Sequence, residues 1–231
     1  MLLTKSLVEN TDALVDEVTS AVVARQEVIQ LSVVSLLAGG HLLLNDIPGV
    51  GKTLLARSLA HSLGGTFKRI QFTPDLLPTD ITGSSIFRQG EGRFEFVPGP
   101  IFANVVLADE VNRGSTRTQS ALLEAMAEGQ VTADGTSYPL PDPFWVVATQ
   151  NEVDTYGTFP LPQAQLDRFI LSLRIGDPSA EDQVTILERN QRGDPEVEPV
   201  LNGTHIREMQ AEVREVEVSR PVREYLAKIL L

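Results

Sequence analysis

The fold of this chain is decided by residues 41–65, which read HLLLNDIPGVGKTLLARSLAHSLGG. The stretch opens on a short apolar run, His41 to Leu44, which is typical of a parallel strand buried on both faces. A glycine-rich turn follows, and from Lys52 to Leu63 the apolar residues recur at helical spacing until Gly64-Gly65 ends the helix. Strand, turn and helix in this order predict the first unit of a parallel α/β sheet.

Three further apolar runs are predicted to be buried strands of the same sheet: Asn104–Ala108, Phe144–Ala148 and Phe169–Leu173. Segments with helical spacing separate them, and others lie between Asp12 and Ala38. One helix is predicted to begin at Ser115, a capping residue, and to turn Leu122, Leu123 and Met126 inward. Strands that alternate with helices favour a parallel sheet with right-handed crossovers.

Two inserted segments, Ser84–Val97 and Gly129–Pro141, alternate between apolar and polar residues around a turn and are predicted to be β-hairpins. The second contains Asp134-Gly135, a strong hairpin-turn signal. After Gly176 the composition shifts to charged helices. We therefore predict an α/β nucleotide-binding domain over residues 1–176 and a small helical domain over residues 177–231.

Composition restricts the class of protein. The chain has 231 residues and a net charge of 19 minus 31, or −12, which disfavours general binding to nucleic acid. Cysteine is absent, which excludes disulfides, thiolate zinc sites and cysteine nucleophiles. The first residues lack the apolar core of a secretory signal, and the uncharged stretch 28–45 is too interrupted by polar residues and glycine for a membrane span. We predict a soluble, cytoplasmic protein.

Residues 46–53, which read DIPGVGKT, are predicted to form a phosphate-binding loop. Gly49 and Gly51 let backbone N–H groups surround phosphate oxygens, and the N-terminus of the following helix adds partial positive charge. Lys52 would reach the β- and γ-phosphates, and the Thr53 hydroxyl would bind Mg²⁺. The strict motif opens with Gly, where this chain has Asp46, and the alternative is a glycine-rich turn before a helix that starts with Lys. The predicted nucleotide contacts are Asp46, Pro48, Gly49, Val50, Gly51, Lys52, Thr53 and Leu54.

Polar residues follow the other predicted strands, where ligands bind in open α/β sheets. Asp109 suits a metal shell, and Glu110 suits orientation and deprotonation of an attacking water. Asn151 could hold the γ-phosphate and the water in line. Each of these residues also has a purely structural explanation. Acidic residues such as Asp109 and Glu110 are common where a strand leaves the core, and Asn151 could form a turn. Arg168, a further candidate, could form a surface ion pair.

Five phrases together resemble the MoxR branch of the AAA+ ATPases. They are PGVGKT at 48–53, LADEVNR at 107–113, TQSALLEAM at 118–126, ATQN at 148–151 and FPLPQAQLDRF at 159–169. The resemblance runs from roughly Val23 to Leu173. At Val23-Ala24-Arg25 the chain departs from the Val-Gly-Gln usual in this family, a segment that lies beside the adenine.

The resemblance implies ATP and Mg²⁺ as cofactors and an acidic residue such as Asp46 at the head of the loop. It implies that Asn151 is the sensor-1 residue and that Arg168 is an arginine finger, which reaches a neighbour's nucleotide. The two hairpins are similar to the helix-2 insert and pre-sensor-1 hairpin that face the pore of a ring. Arg113 is similar to a family Arg near the subunit boundary. The chain stops before the lid residues that carry a sensor-2 Arg, so we expect an incomplete lid.

The function that this resemblance implies is Mg²⁺-dependent ATP hydrolysis by a homo-oligomeric ring, expected to be a hexamer, that remodels or matures partner proteins. Proteins with von Willebrand factor type A domains are the implied partners. Two alternatives are an ATP-dependent assembly switch with little turnover and a nucleic-acid motor of the same superfamily. Glu110 argues against the first, and the charge of −12 against the second. A metal enzyme with protein ligands is disfavoured because His41, His61 and His205 share no ligand spacing.

Overall fold

The structure is a computed structural model that describes residues 5–45, 51–90, 92–151, 157–176, 178–192 and 196–230. Its elements in chain order are α1 (Lys5–Ala21), α2 (Gln26–Leu37), β1 (His41–Asn45), α3 (Lys52–Ser62), β2 (Phe67–Gln71), α4 (Pro78–Thr82), β3 (Gly83–Arg88), β4 (Arg93–Pro98), β5 (Val105–Asp109), a 3-10 helix (Val111–Arg113), α5 (Thr116–Glu128), β6 (Gln130–Ala133), β7 (Thr136–Pro139), β8 (Trp145–Gln150), α6 (Gln163–Leu166), β9 (Phe169–Leu173), α7 (Ala180–Arg192), α8 (Gly203–Arg214) and α9 (Arg220–Ile229).

Five strands form one parallel sheet in the order β2-β5-β8-β1-β9. Side chains of β1, β5 and β8 alternate between two apolar layers, as the two-residue period of a strand requires. One layer contains Leu42, Leu44, Val105 and Leu107 with residues of α1, α2, α3 and α8, and the other contains Leu43, Val106 and Ala108 with residues of α5. The predicted parallel α/β fold is confirmed.

The edge strand β2 was not predicted from the sequence. Lys68, Arg69 and Gln71 are exposed there, and Ile70 is its buried residue. An edge strand with one buried residue lacks the continuous apolar run of a central strand. The first helix also begins at Lys5 rather than near Asp12, because Leu7 is buried in the same layer as Leu14 and Val18.

Both predicted hairpins are present as separate two-stranded antiparallel sheets, β3–β4 and β6–β7. Asp134 and Gly135 both have positive φ, the conformation that a two-residue hairpin turn requires. The rings of Phe96 on β4 and Tyr138 on β7 stack with centroids 4.0 Å apart, so the two hairpins contact each other.

Of the helices after residue 178, α8 packs on the core through Ile206 and Met209. The Gln210 side chain donates a hydrogen bond of 2.8 Å to the carbonyl of Leu36 in α2. No helix within the described ranges combines the length and apolar character needed to cross a membrane.

His41 at the start of β1 joins the sheet to α5. Its Nδ1 accepts a hydrogen bond of 3.0 Å from the backbone N–H of Val146 in β8. This fixes the neutral tautomer in which Nε2–H donates to the Met126 carbonyl 3.2 Å away. Burial of the ring lowers the pKa of His41, although the bond to Met126 opposes the shift.

This lowered pKa predicts that stability falls as the pH drops below about 6.5. The unfolded chain binds a proton at its ordinary pKa, whereas the folded chain resists it, so stability is full above 6.5 and declines below. His41→Asn keeps an acceptor for Val146 and does not titrate. Denaturant unfolding between pH 7.5 and 5.5 should show a smaller loss for His41→Asn than for the unsubstituted chain; parallel pH profiles would contradict the assignment.

Candidate nucleotide-binding site

The carboxyl ends of three neighbouring strands meet at one edge of the sheet. Residues 105–108 of β5 pair with residues 145–148 of β8, and residues 42–45 of β1 pair with residues 147–150 of β8. Asp109 and Glu110 lie at the end of β5, and Asn151 directly follows β8. The α3 helix is the first element after β1. The parallel register therefore brings the start of α3, the acidic pair and Asn151 to the same edge, whereas Arg168 directly precedes β9 and lies at its amino end.

The helix α3 begins at Lys52, after Gly51 in the left-handed conformation with φ of 91°. A Cβ at Gly51 would meet no atom within 4 Å, so conformation rather than space requires glycine there. Lys52 is 7% exposed, and the first turn contains no acidic residue. This N-terminus favours anions.

Some of the predicted nucleotide contacts lie within the described residues, and the others do not. Gly51, Lys52, Thr53 and Leu54 lie at the start of α3, with Thr53 and Leu54 partly buried. Asp46, Pro48, Gly49 and Val50 lie outside the described residues, so their contacts stay predictions.

Asp109 is buried at the end of β5, and both of its carboxylate oxygens are hydrogen-bonded. Oδ1 accepts from the Thr149 hydroxyl at 2.6 Å. Oδ2 accepts from Arg69 of β2, from Nε at 3.1 Å and from Nη2 at 2.5 Å. The Arg69 side chain is 48% exposed. The predicted metal ligand is thus held by a cationic side chain from the neighbouring strand.

Glu110 has an uncommon backbone conformation, with φ of 55° and ψ of 50°. For a residue other than glycine this costs on the order of 1–3 kcal/mol, which surrounding contacts must offset. One such contact is the hydrogen bond of 2.8 Å from the Glu110 N–H to the Thr149 hydroxyl oxygen. The Glu110 carboxylate accepts from Arg113 Nη1, also at 2.8 Å.

Thr149 therefore fixes both acidic residues, since its hydroxyl accepts from Glu110 and donates to Asp109. Sequence reasoning assigned no role to Thr149 or Arg69. A hydroxyl residue at the end of an otherwise apolar buried strand was the available signal for Thr149. Arg69 was missed together with the edge strand β2 that carries it.

Asn151 is 4% exposed and follows β8 directly. The side chain of Asn112 holds its main chain in both directions. Asn112 Nδ2 donates to the Asn151 carbonyl at 3.1 Å, and the Asn151 N–H donates to Asn112 Oδ1 at 3.4 Å. Asn151 is thereby connected to the segment that follows Glu110.

Arg168 lies between α6 and β9 on the exposed surface. Its Nη1 donates a hydrogen bond of 3.0 Å to the carbonyl of Leu123 in α5. This contact places Arg168 against a helix, and among the described residues it forms no ion pair, which was the alternative considered for it. Its predicted role on a neighbouring subunit stays a prediction.

The described residues fit a nucleoside triphosphate with Mg²⁺. A buried lysine at a helix N-terminus is suited to phosphate oxygens. Asp109 and Thr53 offer the hard oxygen ligands that Mg²⁺ prefers, usually one or two from protein beside phosphate and water. Asp109 Oδ2 already contacts a cation, the Arg69 guanidinium.

The sheet order, with a helix N-terminus after β1, acidic residues at the end of β5 and a buried Asn after β8, is that of an ATPase of the AAA type. Residues 41–171 match the ATPase family associated with various cellular activities (AAA). A crystal structure of a candidate ATPase from Cytophaga hutchinsonii is similar with a TM-score of 0.88 and 39% identity, over 96% of this chain and 68% of that one.

Individual relatives indicate the branch of this family. The chain is 50% identical over 218 residues to the uncharacterized protein YeaC of Bacillus subtilis, covering 94% of this chain and 68% of that protein. It is 41% identical over 214 residues to Chaperone MoxR1 of Mycobacterium tuberculosis, covering 93% and 57% respectively. The chain belongs to the MoxR branch of the AAA+ ATPases.

Proposed function

We propose that this chain hydrolyses ATP with Mg²⁺ as one subunit of a homo-oligomeric ring, most simply a hexamer, which remodels or matures partner proteins. The observation that carries the proposal is the acidic pair Asp109-Glu110 at the end of a buried strand, on the same sheet edge as the start of α3. A binding protein that performs no hydrolysis has no need for the second acid.

In this proposal the triphosphate lies against the N-terminus of α3. Lys52 and the backbone N–H groups of the phosphate loop bind its oxygens, and Leu54 contributes a further contact. Thr53 and Asp109 would hold Mg²⁺, which would neutralise charge on the phosphates. Thr149 keeps Asp109 oriented, because it donates to Oδ1 at 2.6 Å.

Glu110 is proposed to orient and deprotonate the attacking water, and Asn151 to hold that water and the γ-phosphate in line. The Glu110 carboxylate is bound to Arg113 in the structure, so it must exchange this partner for water before it can act. The same ion pair favours a second candidate function, an ATP-dependent assembly switch with little turnover.

Arg168 is proposed to act in trans, where such arginines stabilise charge on the transferred phosphoryl group. Residues 1–176 would form the catalytic domain and residues 177–231 part of the lid. The relative named Chaperone MoxR1 supports a role on other proteins. Proteins with von Willebrand factor type A domains are our proposed partners.

Lys52→Ala tests the binding site. We expect ATP affinity to fall about 10- to 100-fold, since a charge-assisted contact of about 1.5–3 kcal/mol is lost. Isothermal titration with ATP and Mg²⁺ measures the loss. Lys68→Ala, which removes an exposed lysine from β2, is the matched control and should leave affinity unchanged. Unchanged affinity in Lys52→Ala would reject the site.

Glu110→Gln tests the proposed base. The variant should bind ATP normally and release phosphate about 10²–10⁴-fold more slowly, the range typical of a lost general base. Glu124→Gln, at an exposed position of α5, should leave both quantities unchanged. Turnover at the unsubstituted rate in Glu110→Gln would remove the base assignment. Turnover that is equally slow in Glu110→Gln and in the unsubstituted chain, together with ATP-dependent assembly, would favour the assembly switch.

Arg168→Ala tests action between subunits. The variant should bind ATP but lose about 10³–10⁵-fold in hydrolysis, as expected for a lost arginine finger. Mixing it with Lys52→Ala chains should restore part of the activity, because one chain supplies the nucleotide site and the other the arginine. Arg117→Ala, an exposed substitution on α5, serves as control. Lack of restoration at concentrations that permit assembly would mean that Arg168 acts elsewhere.

A further inference from the structure

The helix α5 carries polar residues at buried positions that the proposed chemistry does not use. Gln119 is 1% exposed and Thr118 is fully buried. Both belong to the TQSALLEAM phrase, in which the other buried positions of the helix are apolar or alanine. A buried polar side chain is costly unless it is hydrogen-bonded, so its partners indicate its role.

The amide of Gln119 joins two segments that are distant in sequence. Its Nε2 donates to the carbonyl of Val111 at 3.0 Å and to the carbonyl of Phe159 at 2.8 Å. Both N–H bonds of one nitrogen are therefore used, and a reversed amide would place Oε1 against two carbonyl oxygens. Val111 follows Glu110 directly, and Phe159 opens the segment that leads through α6 to Arg168.

Asn112 extends the same network. Its carbonyl accepts a hydrogen bond of 2.6 Å from the N–H of Phe159, and its side chain holds the main chain of Asn151. Two buried amides thus connect the segment after Glu110, the residue Asn151 and the segment before Arg168. Removing the Gln119 amide removes the side-chain donor of the Phe159 carbonyl, whereas the Val111 carbonyl keeps the N–H of Gly114 at 3.2 Å. Removing the Asn112 amide removes its two hydrogen bonds to the main chain of Asn151. A lost hydrogen bond of this kind costs about 0.5–1.5 kcal/mol.

We propose that Asn112 and Gln119 are positioning residues that connect a subunit's own nucleotide site with the arginine it presents to a neighbour. Asn112 positions Asn151 on the site side, and Gln119 positions the Phe159 segment on the arginine side. The inference rests on the proposed trans action of Arg168. One hydrogen-bonded network would then set both roles of a subunit, which are to bind its own nucleotide and to present Arg168 to its neighbour.

Mixed assemblies test the nucleotide-site side and the arginine side of this network separately. In a mixture of Arg168→Ala and Lys52→Ala chains, the first chain only hydrolyses and the second only supplies the arginine. Gln119→Met, which keeps the side-chain volume and removes both donors, should lower the restored kcat at least fivefold when placed in the Lys52→Ala chain. Placed in the Arg168→Ala chain, it should change kcat less than twofold. Asn112→Leu should give the reverse pattern, with KM for ATP unchanged in both cases.

Thr118→Val is the matched control, because Thr118 lies on the same helix and donates to the carbonyl of Leu76, outside this network. It should change activity less than twofold in either chain. Equal effects of Gln119→Met in both chains, or an effect of Thr118→Val as large as that of Gln119→Met, would overturn the inference. If Gln119→Met does not fold, Asn112→Leu carries the same test in the opposite arrangement.

Hydrogen exchange gives a readout that is independent of hydrolysis. The amide of Phe159 should exchange at least tenfold faster in Gln119→Met than in the unsubstituted chain, whereas Thr118→Val should leave it unchanged. Absence of activity in the reference mixture would reject the trans arginine of the proposed function. The exchange rate would then still test whether Gln119 positions the Phe159 segment, since an unchanged Phe159 amide in Gln119→Met overturns that part of the inference.

Discussion

The central strands β5, β8 and β1 are buried on both faces, and this constraint determines where polar chemistry can occur. Their backbone groups pair within the sheet, and their side chains are apolar except at the strand ends. A carboxylate or hydroxyl is tolerated only where a strand leaves the two apolar layers. Because the strands are parallel, these exits lie on one edge, which is where Asp109, Thr149 and Asn151 are found.

At that edge each acidic residue has its own arginine partner, and one hydroxyl joins the pair. Arg69 binds Asp109, Arg113 binds Glu110, and Thr149 bonds to the Asp109 carboxylate and the Glu110 backbone. The left-handed backbone of Glu110 is maintained by these contacts. The arrangement limits the repulsion between two adjacent carboxylates near a buried strand end.

How much of this structure the sequence predicts depends on how far apart along the chain the interacting residues are. The strands β1, β5, β8 and β9 and the cap at Ser115 are determined by local patterns, and they were predicted correctly. The strand β2 has too little apolar character for recognition, and Arg69 was missed with it. The bonds of Asn112 and Gln119 to Asn151 and Phe159 span 39 or 40 residues, so no periodicity reveals them. Residues 46–50 of the predicted phosphate loop lie outside the described part of the chain.

The contact between Arg69 and Asp109 gives Oδ2 two competing partners in the proposed mechanism. A divalent ion that bound Oδ2 directly would compete with the guanidinium, whereas an ion bound through water or through Oδ1 would leave the contact in place. Arg69 also donates to Gln71 on the same outermost strand, at 2.8 Å. Direct binding at Oδ2 would therefore alter the contacts of a charged side chain on the outermost strand of the sheet.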